Sequence, residues 1–316
     1  MIFDLPDPAR YRRTMLASLL ASHPLILAEC AVAERLRREP GVELHPMLYN
    51  SPLAYGPSRA REAMASIYLE YMTAARNVGL PILLSAPTWR LDATRVAAAG
   101  VPASVNTDAV AFLVGLRERA GNLGSQIVIG ALVGPKNDCY RPELAPGADE
   151  AAAFHHAQIR ELASTRAEFL FAQTLPAVGE ALGIARAMAA TGKPYLISFC
   201  TGTDGRVLDG TPLPNAMARL DTLLDTPPAG YFVNCTHPRF LLDAYRPGDL
   251  ARLIGIQANA SSRDVSTLDG SSSTVTEPVE TWCAAMRALH EIHAVSILGG
   301  CCGTSLPHLE ALAGLA

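Results

Sequence analysis

The chain has 316 residues, room for about two domains of ~150 residues or for one α/β barrel of ~250 residues with insertions. Hydrophobic residues make up 49 % against 18 % charged, with a formal net charge of −4. That supplies apolar material for a core and no surplus of Lys and Arg to neutralise phosphates or an anionic membrane surface, so neither nucleic acid nor membrane is an expected partner.

Near the start, Arg12 and Arg13 precede an apolar stretch, but Asp4 and Asp7 lie ahead of them and Ser22, His23 and Pro24 interrupt it, which argues against a signal peptide. Short apolar runs, several rich in β-branched residues, then alternate with segments of helical period. Residues 25–29 read as the first strand, 58–78 as a helix, 81–85 as the second strand and 126–133 as the third. A helix over 149–166, a fourth strand at 168–173, a helix over 178–190 and a fifth strand at 194–199 follow. The pattern continues with a helix over 212–224, strands at 230–234 and 253–257, a helix over 279–290 and a last strand at 294–298. The longest uncharged run, 292–309, holds two histidines, a proline and three glycines, short of the ~20 apolar residues that cross a bilayer. Strand then helix, eight times and without a Ser/Gly linker, predicts a closed parallel (β/α)8 TIM barrel with residues 1–316 as a single domain.

In such barrels the catalytic groups gather where strands end and βα loops begin, all on one face. Those positions hold Glu29 and Cys30, 86–89, 134–137, Gln173 and Thr174, Cys200 and Thr201, Cys235, 257–259, and Cys301 with Cys302. Seven cysteines, an odd number spread over a long chain, do not read as a disulfide framework; a reducing compartment, the cytoplasm, is expected. The strongest signal is Gly299-Gly300-Cys301-Cys302-Gly303. Neighbours in a regular strand point to opposite faces, and the flanking glycines are expected to relieve this through unusual φ/ψ, so that both sulfurs turn to one point and Cys235 adds a third. Three thiolates with an open fourth position make a catalytic zinc site; three buried free cysteines, or a strained disulfide between the neighbours, is the alternative. Three negative ligands make the metal a poor Lewis acid but leave a fourth bound sulfur electron-rich and ionised at neutral pH, which favours S-alkylation over hydrolysis.

Val233-Asn234-Cys235 and the 299–304 segment resemble the Asn-Cys and glycine–cysteine signatures of the homocysteine S-methyltransferases, which are zinc-dependent (β/α)8 barrels. Supporting similarity runs through 154–161, through Thr174-Leu175-Pro176 and the helix after it, and through 198–212, where Asp204-Gly205 and 209–212 look family-like; Asn259 matches a seventh-strand asparagine. The resemblance spans nearly the whole chain and implies zinc held by Cys235, Cys301 and Cys302, and methyl transfer to a thiol. Two departures concern the substrate. The family's aspartate and two glycines at the first strand are replaced by Ala28-Glu29-Cys30, and its glutamate before Thr-Ile-Pro at the fourth strand by Gln173. In the family those carboxylates help hold the amino-acid end of homocysteine. Gln173 removes a negative charge that would pair with an ammonium group, and Glu29 offers a carboxylate that period-2 alternation is expected to aim differently.

The expected enzyme moves a methyl group from a sulfonium or quaternary ammonium donor to homocysteine or a related small thiol. Its substrate contacts are Glu29, Gln173, Asn234 and Asn259; the length disfavours a corrinoid-binding domain within the chain and leaves a separate corrinoid partner as the alternative. A non-catalytic zinc-binding barrel and a zinc hydrolase are the rival readings. Among weaker candidates, His155 and His156 read as packed or solvated, and His237 as an acid/base or a loop partner. Trp89 reads as packing or as a cation–π face for an onium donor, Cys30 and Cys200 as extra ligands or bystanders, and Cys139 and Cys283 as small hydrophobes. The 261–276 loop reads as a lid or as a connection only, and no glycine-rich nucleotide motif occurs.

Overall fold

The computed structural model describes residues 15–55, 58–121, 126–264 and 276–316. Eight parallel strands, β1 (Ile26–Ala28), β2 (Ile82–Ala86), β3 (Ile127–Val133), β4 (Phe169–Leu175), β5 (Tyr195–Phe199), β6 (Gly230–Thr236), β7 (Leu253–Ala258) and β8 (Ile297–Gly300), close in sequence order into a barrel, with β8 pairing back onto β1. Around and beneath them lie α1 (Met15–Ser22), α2 (Ala33–Arg38), α3 (Arg59–Val78), α4 (Ala93–Ala99), α5 (Val105–Arg119), α6 (Ala148–Ala163), α7 (Val178–Ala189), α8 (Leu213–Leu223), α9 (Pro238–Ala244), α10 (Val279–His293) and α11 (Leu306–Ala313). The chain is one (β/α)8 barrel, as the alternating pattern predicts.

Helix limits follow local chemistry. The Ser58 hydroxyl accepts from Arg61 N and so caps α3, which ends at Gly79 in the left-handed region, φ 69°. Asp92 caps α4 in the same way. Several boundaries differ from those expected, those at β8 and β6 among them. Residues 294–296 were expected to open the last strand, yet α10 runs on to His293 and Ala294, at φ 56°, closes it. At β6 the strand runs two residues further, to Thr236, so Cys235 lies inside the strand instead of just beyond it.

Alternation along the strands sorts the core into two layers. Ile26, Ala28, Leu83, Val128, Phe169, Phe171, Leu196, Phe232 and Ile297 pack inside the barrel, and Leu16 and Leu19 of α1 join them from below. Their neighbours, such as Leu27, Leu84, Leu170, Ile197 and Val233, pack outward beneath the helices. The ring of Phe171 lies 5.9 Å from Phe169 and 4.9 Å from Phe232. Gly130 and Gly255 leave space for two of these rings, since a Cβ would meet Phe169 at 2.5 Å and Phe232 at 2.2 Å. Aromatic rings thus fill the barrel's lower half and leave a polar cavity at the strands' C-terminal ends.

Candidate metal centre

Glu29, Gln173, Asn234, Cys235, Asn259, Cys301 and Cys302, the residues expected to form the site, all line one cavity of about 670 Å³. Cys235 Sγ lies 3.0 Å from Cys301 Sγ, and Cys301 Sγ lies 4.0 Å from Cys302 Sγ. All three sulfurs fall within 4.8 Å of one another. A tetrahedral ion with ~2.3 Å sulfur bonds spaces its ligands by about 3.8 Å, so this donor set fits zinc.

The convergence arises differently from the expected route. Gly299 and Gly300 lie in a regular strand; what they supply is space, because a Cβ would meet Ala28 O at 2.7 Å from position 299 and Thr304 Oγ1 at 2.3 Å from position 300. Only Gly303, φ 80°, uses the left-handed region in that motif. The larger irregularity is at β6, where pairing with β7 shifts between Asn234 and Thr236 and Cys235 itself takes φ 54°. Thr174 does the same at the end of β4, φ 64°, beside a second register shift. Asn234 ties the two together. Its Oδ1 accepts from Thr174 N at 2.8 Å and from Ser198 Oγ at 2.6 Å, while its Nδ2 donates to Thr174 Oγ1 at 2.7 Å and to Cys235 Sγ at 3.4 Å.

On the other side, Cys301 N donates to Ala258 O at 2.7 Å, Cys302 N donates to Asn259 Oδ1 at 3.2 Å, and Thr304 Oγ1 donates to Cys301 O at 2.6 Å. Gly303 N donates to Glu34. Both asparagines therefore hold sulfur-bearing backbone in place. The thiols stand well above the ordinary thiol value: the hydrogen bond to Cys200 pushes Cys235 up, and that to Cys235 pushes Cys301 up. At Cys302 the hydrogen bond to Cys235 pulls down, but contact with Cys301 and burial outweigh it.

The floor of the cavity is a polar chain. Gln173 Nε2 donates to Gln257 Oε1, Gln257 Nε2 donates to Glu29 O at 3.2 Å, and Glu29 Oε2 accepts from Ser85 N at 3.0 Å. Since β1 ends at Ala28, alternation no longer aims Glu29, and its side chain enters the cavity wall. Burial pushes its carboxyl up to about 8.

The weaker candidates separate. Cys30 lines the cavity, but burial pushes its thiol up to about 12. Cys200 packs against Cys235 beside Tyr140 and Leu208, outside the three-sulfur group. Cys139, read as a small hydrophobe, instead lines the cavity half-exposed, and only the path of the loop after β3 reveals it. His155 is buried 3.4 Å from Glu180, and His237 caps α9 with Nε2 3.4 Å from Glu277; neither lines the cavity. Trp89 does line it, but the cation over its ring is the protein's own Arg90, 5.2 Å from the centroid. Most of the 261–276 loop lies outside the described residues. Among the described residues no helix is long and apolar enough to cross a membrane.

Comparison with known proteins agrees with this geometry. Residues 25–316 match the family model described as homocysteine S-methyltransferase. The curated homocysteine S-methyltransferase YbgG of Bacillus subtilis is 24 % identical over 314 residues, covering 94 % of this chain and 96 % of its own. Among solved structures, the homocysteine methyltransferase MmuM from Escherichia coli, in its metallated form, superposes with a TM-score of 0.72 at 19 % identity, over 96 % of this chain and 100 % of that one. The oxidized form of the same protein gives 0.72 at 21 % identity, over 98 % and 100 %. The chain belongs to the homocysteine S-methyltransferase family and is a methyltransferase acting on a thiol.

Proposed function

We propose that this chain is a zinc-dependent S-methyltransferase that moves a methyl group from a sulfonium or quaternary ammonium donor to homocysteine or a related small thiol. The observation that carries the reading is the cluster of Cys235, Cys301 and Cys302 sulfurs at the mouth of a barrel of this family. Zinc held by those three sulfurs supplies a cationic centre that keeps a substrate sulfur ionised at neutral pH. The rest falls to the chain. Asn234 and Asn259 fix the backbone that carries the sulfurs, and the Glu29–Gln257–Gln173 chain sets the polar floor on which the thiol's tail lies.

In the transfer the thiolate sulfur forms a bond to the methyl carbon while the donor's carbon–sulfur or carbon–nitrogen bond breaks and its electron pair stays with the leaving atom. The donor's positive charge disappears and no proton moves in that step. The site therefore needs alignment and exclusion of water, with no protein acid or base.

The test joins metal content to product. Purified, reduced protein is expected to hold about one zinc per chain, and Cys235→Ser, Cys301→Ser and Cys302→Ser should each weaken it severely. Mass spectrometry of thiol products across a donor panel should show methyl transfer that stops on chelation. Full zinc retention in all three variants, or transfer that survives verified metal removal, would overturn the assignment.

A further inference from the structure

Five cationic side chains line the cavity: Arg37, Arg38, Arg90, Arg95 and Lys136. Three are already matched by carboxylates, Arg38 by Glu34, Arg95 by Asp92, and Lys136 by Glu150 at 2.5 Å. Arg37 is exposed at the rim. Arg90 is different. It is half-buried, and among the described residues it makes no ion pair.

Its position is built. The guanidinium carbon stands 5.2 Å from the Trp89 ring centroid and 5.5 Å from that of Tyr49, and the two rings meet edge to face at 5.6 Å. Trp89 is fixed in turn from β3 and β4: its carbonyl accepts from Gly134 N at 2.8 Å and its indole Nε1 donates to Gln173 O at 3.2 Å. A Cβ at position 134 would meet the indole nitrogen at 2.6 Å, so glycine there is a condition of this seating. A guanidinium has five N–H donors in a rigid fork. At Arg90 the described residues take up one donor from Nη2, on Asn137 O at 3.2 Å, while Nε is buried with no partner. A buried unpaired donor on a permanent cation is costly, and a bidentate carboxylate is the group that answers its charge and its geometry together.

We propose that Arg90 is a specificity-determining residue that anchors the carboxylate of a substrate whose sulfur reacts at the three-cysteine cluster. This rests on the methyl-transfer reading and adds to it the residue that holds a substrate carboxylate, on the acceptor thiol or on the sulfonium donor. Two features of the floor support it. Position 173 carries an uncharged amide, and the buried Glu29 carboxyl is pushed up to about 8, so neither presents a fixed negative charge that would repel a carboxylate at neutral pH.

The experiment separates the two sources and stands apart from turnover. Binding to the zinc-loaded protein is followed by fluorescence of Trp89, which touches Arg90. On the acceptor arm 4-mercaptobutyrate is compared with 4-mercaptobutan-1-ol; on the donor arm dimethylsulfoniopropionate is compared with trimethylsulfonium. On one arm the carboxylate compound should bind about ten- to a hundredfold more tightly, and Arg90→Gln should abolish that preference while leaving the uncharged or carboxylate-free partner unchanged. Arg90→Lys, which keeps the charge and loses the fork, should reduce the preference part-way and serves if the glutamine variant does not fold. No carboxylate preference on either arm, or a preference that both variants retain, overturns the proposal. Methyl transfer without carboxylate preference would sink this inference alone; an Arg90-dependent preference without any methyl transfer would sink the methyltransferase reading alone.

Discussion

Glu29 is 7 % exposed and takes one backbone hydrogen bond, from Ser85 N. That single bond does not offset its burial, and the carboxyl rises from 4.5 to about 8. Between those two values the folded chain keeps a proton that the unfolded chain releases. The contribution to stability is therefore complete below about pH 4.5 and is lost as the pH rises towards 8. Glu29→Gln should remove this dependence. In denaturant titrations of metal-free protein at pH 5 and pH 8, the variant should gain on the wild type as the pH rises, by at most about 1.4 kcal/mol per pH unit. Parallel curves would mean that Glu29 ionises as easily in the fold as outside it. The residue type was visible in the sequence, but its aim was not, because β1 is only three residues long and alternation has no hold past its end.

At the scale of the strand ends, Thr174 and Cys235 both leave regular geometry for the left-handed region, which costs a non-glycine residue on the order of 1–3 kcal/mol. The Asn234 side chain, spanning the ends of β4 and β6, compensates by occupying all of its hydrogen-bonding capacity on Thr174, Ser198 and Cys235. Asn234→Ala would strand Thr174 N and Ser198 Oγ in a buried site, at about 1–3 kcal/mol. It should also weaken zinc about ten- to a hundredfold by freeing the Cys235 backbone, readable by competition with a chromophoric chelator. Unchanged zinc affinity would show that Cys235 keeps its conformation unaided. Sequence reasoning placed Asn234 and Asn259 at the mouth as substrate contacts, and the structure shows what their amides hold. Nothing local could announce the bulges: neither Thr nor Cys favours positive φ, the register shifts arise in the pairing of β4 with β5 and of β6 with β7, and the side chain that ties the two bulges together lies 60 residues away, in the Thr174–Asn234 pair. Arg90 carries no sequence signal for a related reason, since an arginine is conspicuous only when its missing counter-charge is known.

Across the whole molecule, labour is divided between the two ends of the barrel. Phe169, Phe171 and Phe232 fill the lower interior, while the sulfurs and amides occupy the upper end. Phe171→Ala should cost about 3–5 kcal/mol through the cavity it opens, seen as an earlier unfolding midpoint. The folded fraction should still bind zinc at the wild-type ratio, and a parallel loss of metal would show that the two ends are coupled. The barrel itself was readable because each strand is a short apolar run followed by a segment of helical period, repeated without interruption. The limits of β8 were not, because Ala294 ends α10 by taking a left-handed backbone, which no apolar count can show. The closing seam carries a consequence in time. Gly300 N donates to Glu29 O at 3.1 Å, joining the last strand to the first, and Cys301 and Cys302 follow directly on that strand. During synthesis two of the three sulfurs emerge only after the other seven strands, so zinc held by all three, as proposed, would be loaded at the end of maturation. On that reading zinc occupancy would report a barrel that has closed, and a nascent chain halted before β8 has no complete set of sulfurs to offer.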